Sequence, residues 1–115
     1  MKREGVKDKG EEIMKRIIDG KLYNTETATE VASQYHGYGG DFAAWRETLY
    51  MTKSGAFFLH GWGSCHTEYA ESTGQNSWSD GERLIPYDKI QVMDWAERRE
   101  VNPDLIAEYV ALEEA

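Results

Sequence analysis

The stretch that most constrains the fold runs from residue 45 to residue 62. Trp45-Arg46-Glu47-Thr48-Leu49-Tyr50-Met51-Thr52 alternates, so an extended chain puts Trp45, Glu47, Leu49 and Met51 on one side and Arg46, Thr48, Tyr50 and Thr52 on the other. Lys53-Ser54-Gly55 supplies a turn, and Ala56-Phe57-Phe58-Leu59-His60-Gly61-Trp62 returns as the second arm. Phe57, Leu59 and Gly61 share one side of that arm; Ala56, Phe58, His60 and Trp62 share the other. A strand apolar on both sides needs cover on both, which predicts a central or covered strand.

The flanking segments extend this pattern. Arg16-Ile17-Ile18-Asp19-Gly20-Lys21-Leu22-Tyr23 also admits a short helix through Ile13, Met14, Ile17 and Ile18. The Asp-Gly pair, which suits the positive φ values of a type I′ turn, and its β-branched and aromatic flanks favour a hairpin. Thr25 to Tyr35 reads as a strand or as a short helix capped by Thr25 or Thr27. Residues 63–81, rich in Gly, Ser, Thr and Asn, read as a long loop with a helical turn near Thr67 to Ser72. Glu82 to Tyr87 is expected as a last strand. Asp88 caps a helix to about Arg99, with Ile90, Met93 and Ala96, flanked by Val92 and Trp95, as its apolar stripe. Asn102 and Pro103 begin a second helix that buries Leu105, Ile106, Tyr109, Val110 and Leu112. The expected fold is α+β: an antiparallel sheet of four or five strands with two C-terminal helices, one domain over residues 13–115 behind a flexible charged leader at residues 1–12.

Charge narrows the function classes. The 115 residues carry a net charge of −8. Residues 1–21 hold seven Lys/Arg against five acids, a balance of +2, so the remainder carries −10. Such a body repels a phosphate backbone, because nucleic-acid affinity rests on Lys and Arg releasing counterions. It is steered instead toward basic protein surfaces, including the clefts that grip nucleic acid. The single cysteine, Cys65, forms no internal disulfide and fits a reducing compartment. The leading residues lack the apolar core of a signal peptide, and no stretch has the ~20 apolar residues of a membrane span. A cytoplasmic protein, monomer or dimer, without membrane contact is therefore expected.

The run IIDGKLYNTETATEV, then Asp41-Phe42 with ETLYMTKSGAFFLHGWG, then TEYAES and a closing RLIP before a Trp-containing helix, resembles a family of small proteins carried by bacteriophages and integrative elements. The resemblance covers about residues 15–97. It implies the company of mobile-element proteins that inhibit host defence, anti-CRISPR proteins included, and it carries no functional residue with it. Trp62, Cys65 and His66 depart from the small or acidic residue and glycines that the family places after this strand.

Four constellations have chemical potential. His60, Cys65 and His66, three metal-capable side chains within seven residues, form a zinc site only with His36 as a fourth ligand, and their spacing matches no common zinc motif. Cys65 also has His66, His60 or His36 as a candidate base, with the amides of Gly61 and Gly63 beside it, the pattern of a small Cys/His-dependent enzyme. The glycines of Gly37-Tyr38-Gly39-Gly40-Asp41 and Gly61-Trp62-Gly63-Ser64 match no phosphate-binding signature and read as turns. The fourth constellation is a surface. Fourteen aromatics exceed what so small a core requires, and Tyr35, Tyr38, Trp62, Tyr69 and Trp78 fall in or beside loops. Set among Glu68, Glu71, Asp80 and Glu82, Tyr69 and Trp78 make an acid-rimmed aromatic patch for a basic partner, unless Trp78 instead folds back to pin the long loop. The expectation is a cofactor-free, non-enzymatic inhibitor that occupies a positively charged nucleic-acid site on a host protein, such as a CRISPR effector subunit.

Overall fold

The computed structural model describes residues 13–38 and 40–115; the charged leader expected at residues 1–12 lies outside them. Two short strands, β1 (Lys15–Ile18) and β2 (Lys21–Asn24), form the first hairpin. Its turn residues Asp19 and Gly20 have φ of 52° and 75°, the left-handed pair that the Asp-Gly sequence supplies in a type I′ turn. The hairpin base is tied twice: the Thr25 amide donates to the Met14 carbonyl at 2.9 Å, and the Met14 amide donates to Thr25 Oγ1 at 2.9 Å.

The main sheet is antiparallel, in the order β3 (Thr29–His36), β4 (Trp45–Met51), β5 (Phe57–Gly63) and, last in the chain, Gly81–Tyr87. Of the two forms admitted for residues 25–35, the strand is the one formed, but only from Thr29 onward; residues 25–28 are a turn. A bulge between Glu30 and Ala32 turns both Val31 and Ala32 into the core, which strict alternation would forbid. β5 is central, with Phe58 and Leu59 buried on opposite sides, as its two apolar faces require.

Residues 63–81 are more ordered than a loop. After turns over residues 64–70, β6 (Glu71–Gly74) and β7 (Ser77–Ser79) make a separate two-stranded hairpin. Its turn is allowed by Asn76, at φ 60°, a conformation asparagine tolerates. The chain then enters β8 (Gly81–Tyr87), where Pro86 stands on an edge strand that asks no outward donor of it.

Asp88 caps α1 (Lys89–Arg98): its side chain accepts from the Gln91 amide at 2.8 Å, and Gln91 Oε1 accepts from the Asp88 amide at 2.8 Å. The helix faces the sheet through Val92 and Trp95, both fully buried, while Ile90 is 80 % exposed. The stripe is thus centred on Val92 and Trp95, with Met93 and Ala96 partly buried against the same core and Ile90 turned outward, because Trp95 and the C-terminal Arg99 reach a common partner on the sheet. Asn102 caps α2 (Pro103–Ala107), accepting from the Asp104 amide at 3.0 Å. This helix is one short turn, so Ile106 and Val110 are buried whereas Leu105 and Leu112 stay exposed.

Two cores result, one on each face of the sheet. On the helix face, Val31, Ala32, Leu49, Phe57 and Leu59 pack against Val92, Trp95, Val101, Ile106 and Val110. On the other face, Tyr50, Phe58 and Leu84 pack against Tyr23 of the first hairpin, with Tyr50 and Phe58 stacked at 5.1 Å and Tyr23 edge-on to Phe58 at 5.5 Å. The hairpin covers only part of that second face. Among the described residues no helix is long and apolar enough to cross a membrane.

Candidate functional site

Strand register places polar groups on both faces of the same end of the sheet. On the helix face stands Glu47, in the row of Trp45, Leu49 and Met51, and 2 % exposed. Its partner across β5 is Gly61, and Gly63 and Gly81 continue a path without side chains beside it. Tyr69 fills that path. A Cβ at Gly61 would overlap the Tyr69 phenol, and one at Gly63 would overlap Thr67. The Tyr69 hydroxyl donates to Glu47 Oε2 at 2.5 Å, Trp95 Nε1 donates to Oε1 at 2.8 Å, and Arg99 donates through Nε at 2.8 Å and through its terminal nitrogen at 3.2 Å. The Arg99 guanidinium also lies 3.9 Å from the centre of the Trp45 ring.

Burial raises the Glu47 carboxyl, but hydrogen bonds from Arg99, Tyr69 and Trp95 and the Arg99 charge outweigh it, so its pKa falls below the ordinary 4.5. Burial and the adjoining Glu47 carboxylate push the Tyr69 phenol well above its ordinary 10.0. A buried charge this fully partnered holds elements together.

The other face of the same strands is open. Register sets Tyr35, Arg46, Trp62 and Glu82 in one row across the sheet and Ser33, Thr48, His60 and Leu84 in the next. With Tyr38, Glu71 and Asp80, most of these side chains line a groove of about 810 Å³. Inside it His60 Nε2 and Glu82 Oε2 are 2.9 Å apart, and Trp62 Nε1 donates to Asp80 Oδ2 at 3.1 Å. Ser33 and Thr48 hydroxyls join at 3.1 Å. Three carboxylates and one arginine thus surround exposed Tyr35 and Tyr38 and half-buried Trp62.

The expected patch of Glu68, Tyr69, Glu71, Trp78, Asp80 and Glu82 is therefore divided. Glu71, Asp80 and Glu82 meet at the groove. Tyr69 is 4 % exposed, so it is no surface anchor; the glycine path beneath it drew it inward, and it pins the loop that Trp78 was the candidate to pin. Trp78 lies on β7, 58 % exposed, outside the groove lining. Glu68 turns to the helix side, 3.9 Å from Arg83 and 3.8 Å from Arg99.

His60, Cys65 and His66 are not brought together. His60 lines the groove, whereas Cys65 and His66 lie in the turn beyond β5, with His66 edge-on to Phe42 at 5.5 Å. Among the described residues no group of three or more His, Cys, Asp and Glu side chains is placed to hold a metal ion.

Sequence reasoning singled out Trp62, Tyr35 and Tyr38 as loop-edge aromatics but passed over Arg46, Glu47 and Arg99. A carboxylate in the row of Trp45, Leu49 and Met51 was the available signal, since an acid on an apolar stripe must be paired. No family model matches the chain, and neither a curated protein nor a solved structure matches it.

Proposed function

We propose that this protein is a non-enzymatic binder whose acid-rimmed aromatic groove receives a basic surface of a partner protein. One observation supports this above all: Glu71, Asp80 and Glu82 converge beside Trp62, Tyr35 and Tyr38 in an open groove on a chain of net charge −8. Aromatic rings contribute contact area at little entropic cost, and carboxylates set the sign of the partner. The Glu47 clasp supports the same reading from behind, because a stiff base under the groove limits the ordering cost of binding.

The resemblance of residues 15–97 to mobile-element proteins gives the partner its class: a nucleic-acid-binding site of a host defence complex in the host cytoplasm, of which a CRISPR effector is the leading instance. The mechanism is exclusion, with carboxylates standing where phosphates would lie. The test is competition. Purified effector loaded with labelled nucleic acid is titrated with the protein between about 0.05 and 0.5 M salt. Displacement that weakens steeply with salt is expected; displacement indifferent to salt, or none, refutes the reading.

A further inference from the structure

Resting on that reading, we infer that the acidic end of the groove is a guanidinium subsite, in which an arginine side chain of the partner stacks on the Trp62 indole while its N–H fork engages the Asp80 and Glu82 carboxylates. The molecule already contains this arrangement on its other face. There Arg99 lies 3.9 Å over the Trp45 ring and forks to both oxygens of Glu47 at 2.8 and 3.2 Å. Trp45 and Trp62 both stand at this end of the sheet, on neighbouring strands, and Trp45 pairs with Gly63, the residue after Trp62.

The acceptors at Trp62 are held in place but not exhausted. Asp80 takes the indole N–H through Oδ2 at 3.1 Å, which fixes a carboxylate at the rim of the ring and leaves Oδ1 without a hydrogen-bond partner among the described residues. Glu82, the register partner of Trp62, meets His60 through Oε2 at 2.9 Å and leaves Oε1 without a hydrogen-bond partner among the described residues. Two carboxylate oxygens beside one aromatic ring suit a planar, forked, weakly hydrated cation better than a compact, strongly hydrated ammonium. Stacking adds cation–π attraction, greatest over tryptophan. Arg46, on β4 between its register partners Tyr35 and Trp62, makes that side of the row positive, so a cationic guest is directed to the Asp80 and Glu82 side.

The test uses the full chain, with indole N–H resonances followed by NMR and Trp62 assigned from Trp62→Phe. The probes are three peptides of alternating glycine with arginine, with lysine or with citrulline. The arginine peptide should shift the Trp62 indole signal and bind about tenfold more tightly than the lysine peptide, and the citrulline peptide should not bind. Asp80→Asn with Glu82→Gln should weaken the arginine peptide by at least about tenfold, and Trp62→Phe should erase the preference for arginine over lysine. Equal affinity for arginine and lysine peptides, both lost in the double variant, overturns the guanidinium subsite and leaves the acidic groove standing. Arginine binding that survives the double variant overturns the subsite, as does no arginine binding below about 1 mM. The effector competition then decides the wider reading separately. Each variant's unfolding midpoint should match the parent's, so that lost binding is not lost folding.

Discussion

The two faces of this sheet put the same chemistry to opposite uses. Each carries an indole at the same end and carboxylates close by. On the helix face the chain supplies its own cation: α1 delivers Arg99 onto Trp45 and Glu47, Tyr69 and Trp95 complete the set, and the carboxylate keeps 2 % exposure. On the open face no helix among the described residues arrives, and Asp80 and Glu82 remain at a groove of about 810 Å³. An acid's role here follows from what covers it. Under α1 and the Tyr69 segment it is a rivet; where the first hairpin stops short it is a surface.

Removing Glu47 breaks the comparison most severely. Glu47→Ala leaves the Arg99 charge, the Tyr69 hydroxyl and the Trp95 N–H without their acceptor, and loss of one partner of a buried ion pair costs about 3–5 kcal/mol. Urea unfolding should show that loss with an unchanged slope. A smaller loss, of about 1–3 kcal/mol, is expected for Gly61→Ala, because the new methyl would overlap the Tyr69 phenol and push it from its path. Faster proteolysis within residues 64–70 is the accompanying sign. If Gly61→Ala proved neutral, Tyr69 would not be the pin.

The clasp also predicts the shape of stability against pH. Glu47 has a folded pKa below 4.5, so its contribution is complete above that value and fades as pH falls toward the folded pKa. Tyr69 has a folded pKa above 10.0, so its contribution is complete below that value and fades as pH rises beyond it. Unfolding midpoints should therefore be flat between about pH 5 and 10 and fall on both sides. Glu47→Gln should flatten the acid limb and Tyr69→Phe the alkaline one. An acid limb unchanged in Glu47→Gln would place the acid sensitivity in other carboxylates.

How much of this was legible follows the range of the interactions. Local signals were read well: Asp19-Gly20 as a turn, Lys53-Ser54-Gly55 as another, Asp88 and Asn102 as caps, and β5 as central from its two apolar sides. Each depends on a few neighbouring residues. The bulge at Val31 was not legible, because it is set by which residues of β4 lie opposite. The β6–β7 hairpin was read as loop, since its four- and three-residue strands hold no apolar alternation. The candidate site was half legible. Glu71, Asp80 and Glu82 were named from charge and Trp62 from its position, but Tyr69 was assigned outward. Its inward course depends on Gly61, Gly63 and Gly81 lining up across two strands, a juxtaposition separated by about twenty residues of sequence. Arg99 was read as the approximate end of a helix; its contact with Glu47 spans fifty-two residues.

The smallest effect on stability is expected where the effect on binding is greatest. Asp80→Asn and Glu82→Gln each keep a side chain of the same shape in the groove, so the indole and imidazole retain a carbonyl acceptor nearby. Surface substitutions of this kind change stability by no more than about 0.5 kcal/mol, against the several lost at Glu47. Affinity for a basic partner should nevertheless fall, because the field that selects the partner's sign loses one charge with each change. Chemical denaturation of the two variants beside Glu47→Ala, with partner affinity measured on the same samples, checks both halves at once. Should the groove variants unfold as readily as Glu47→Ala, Asp80 and Glu82 would be rivets too, and the contrast between the faces would dissolve.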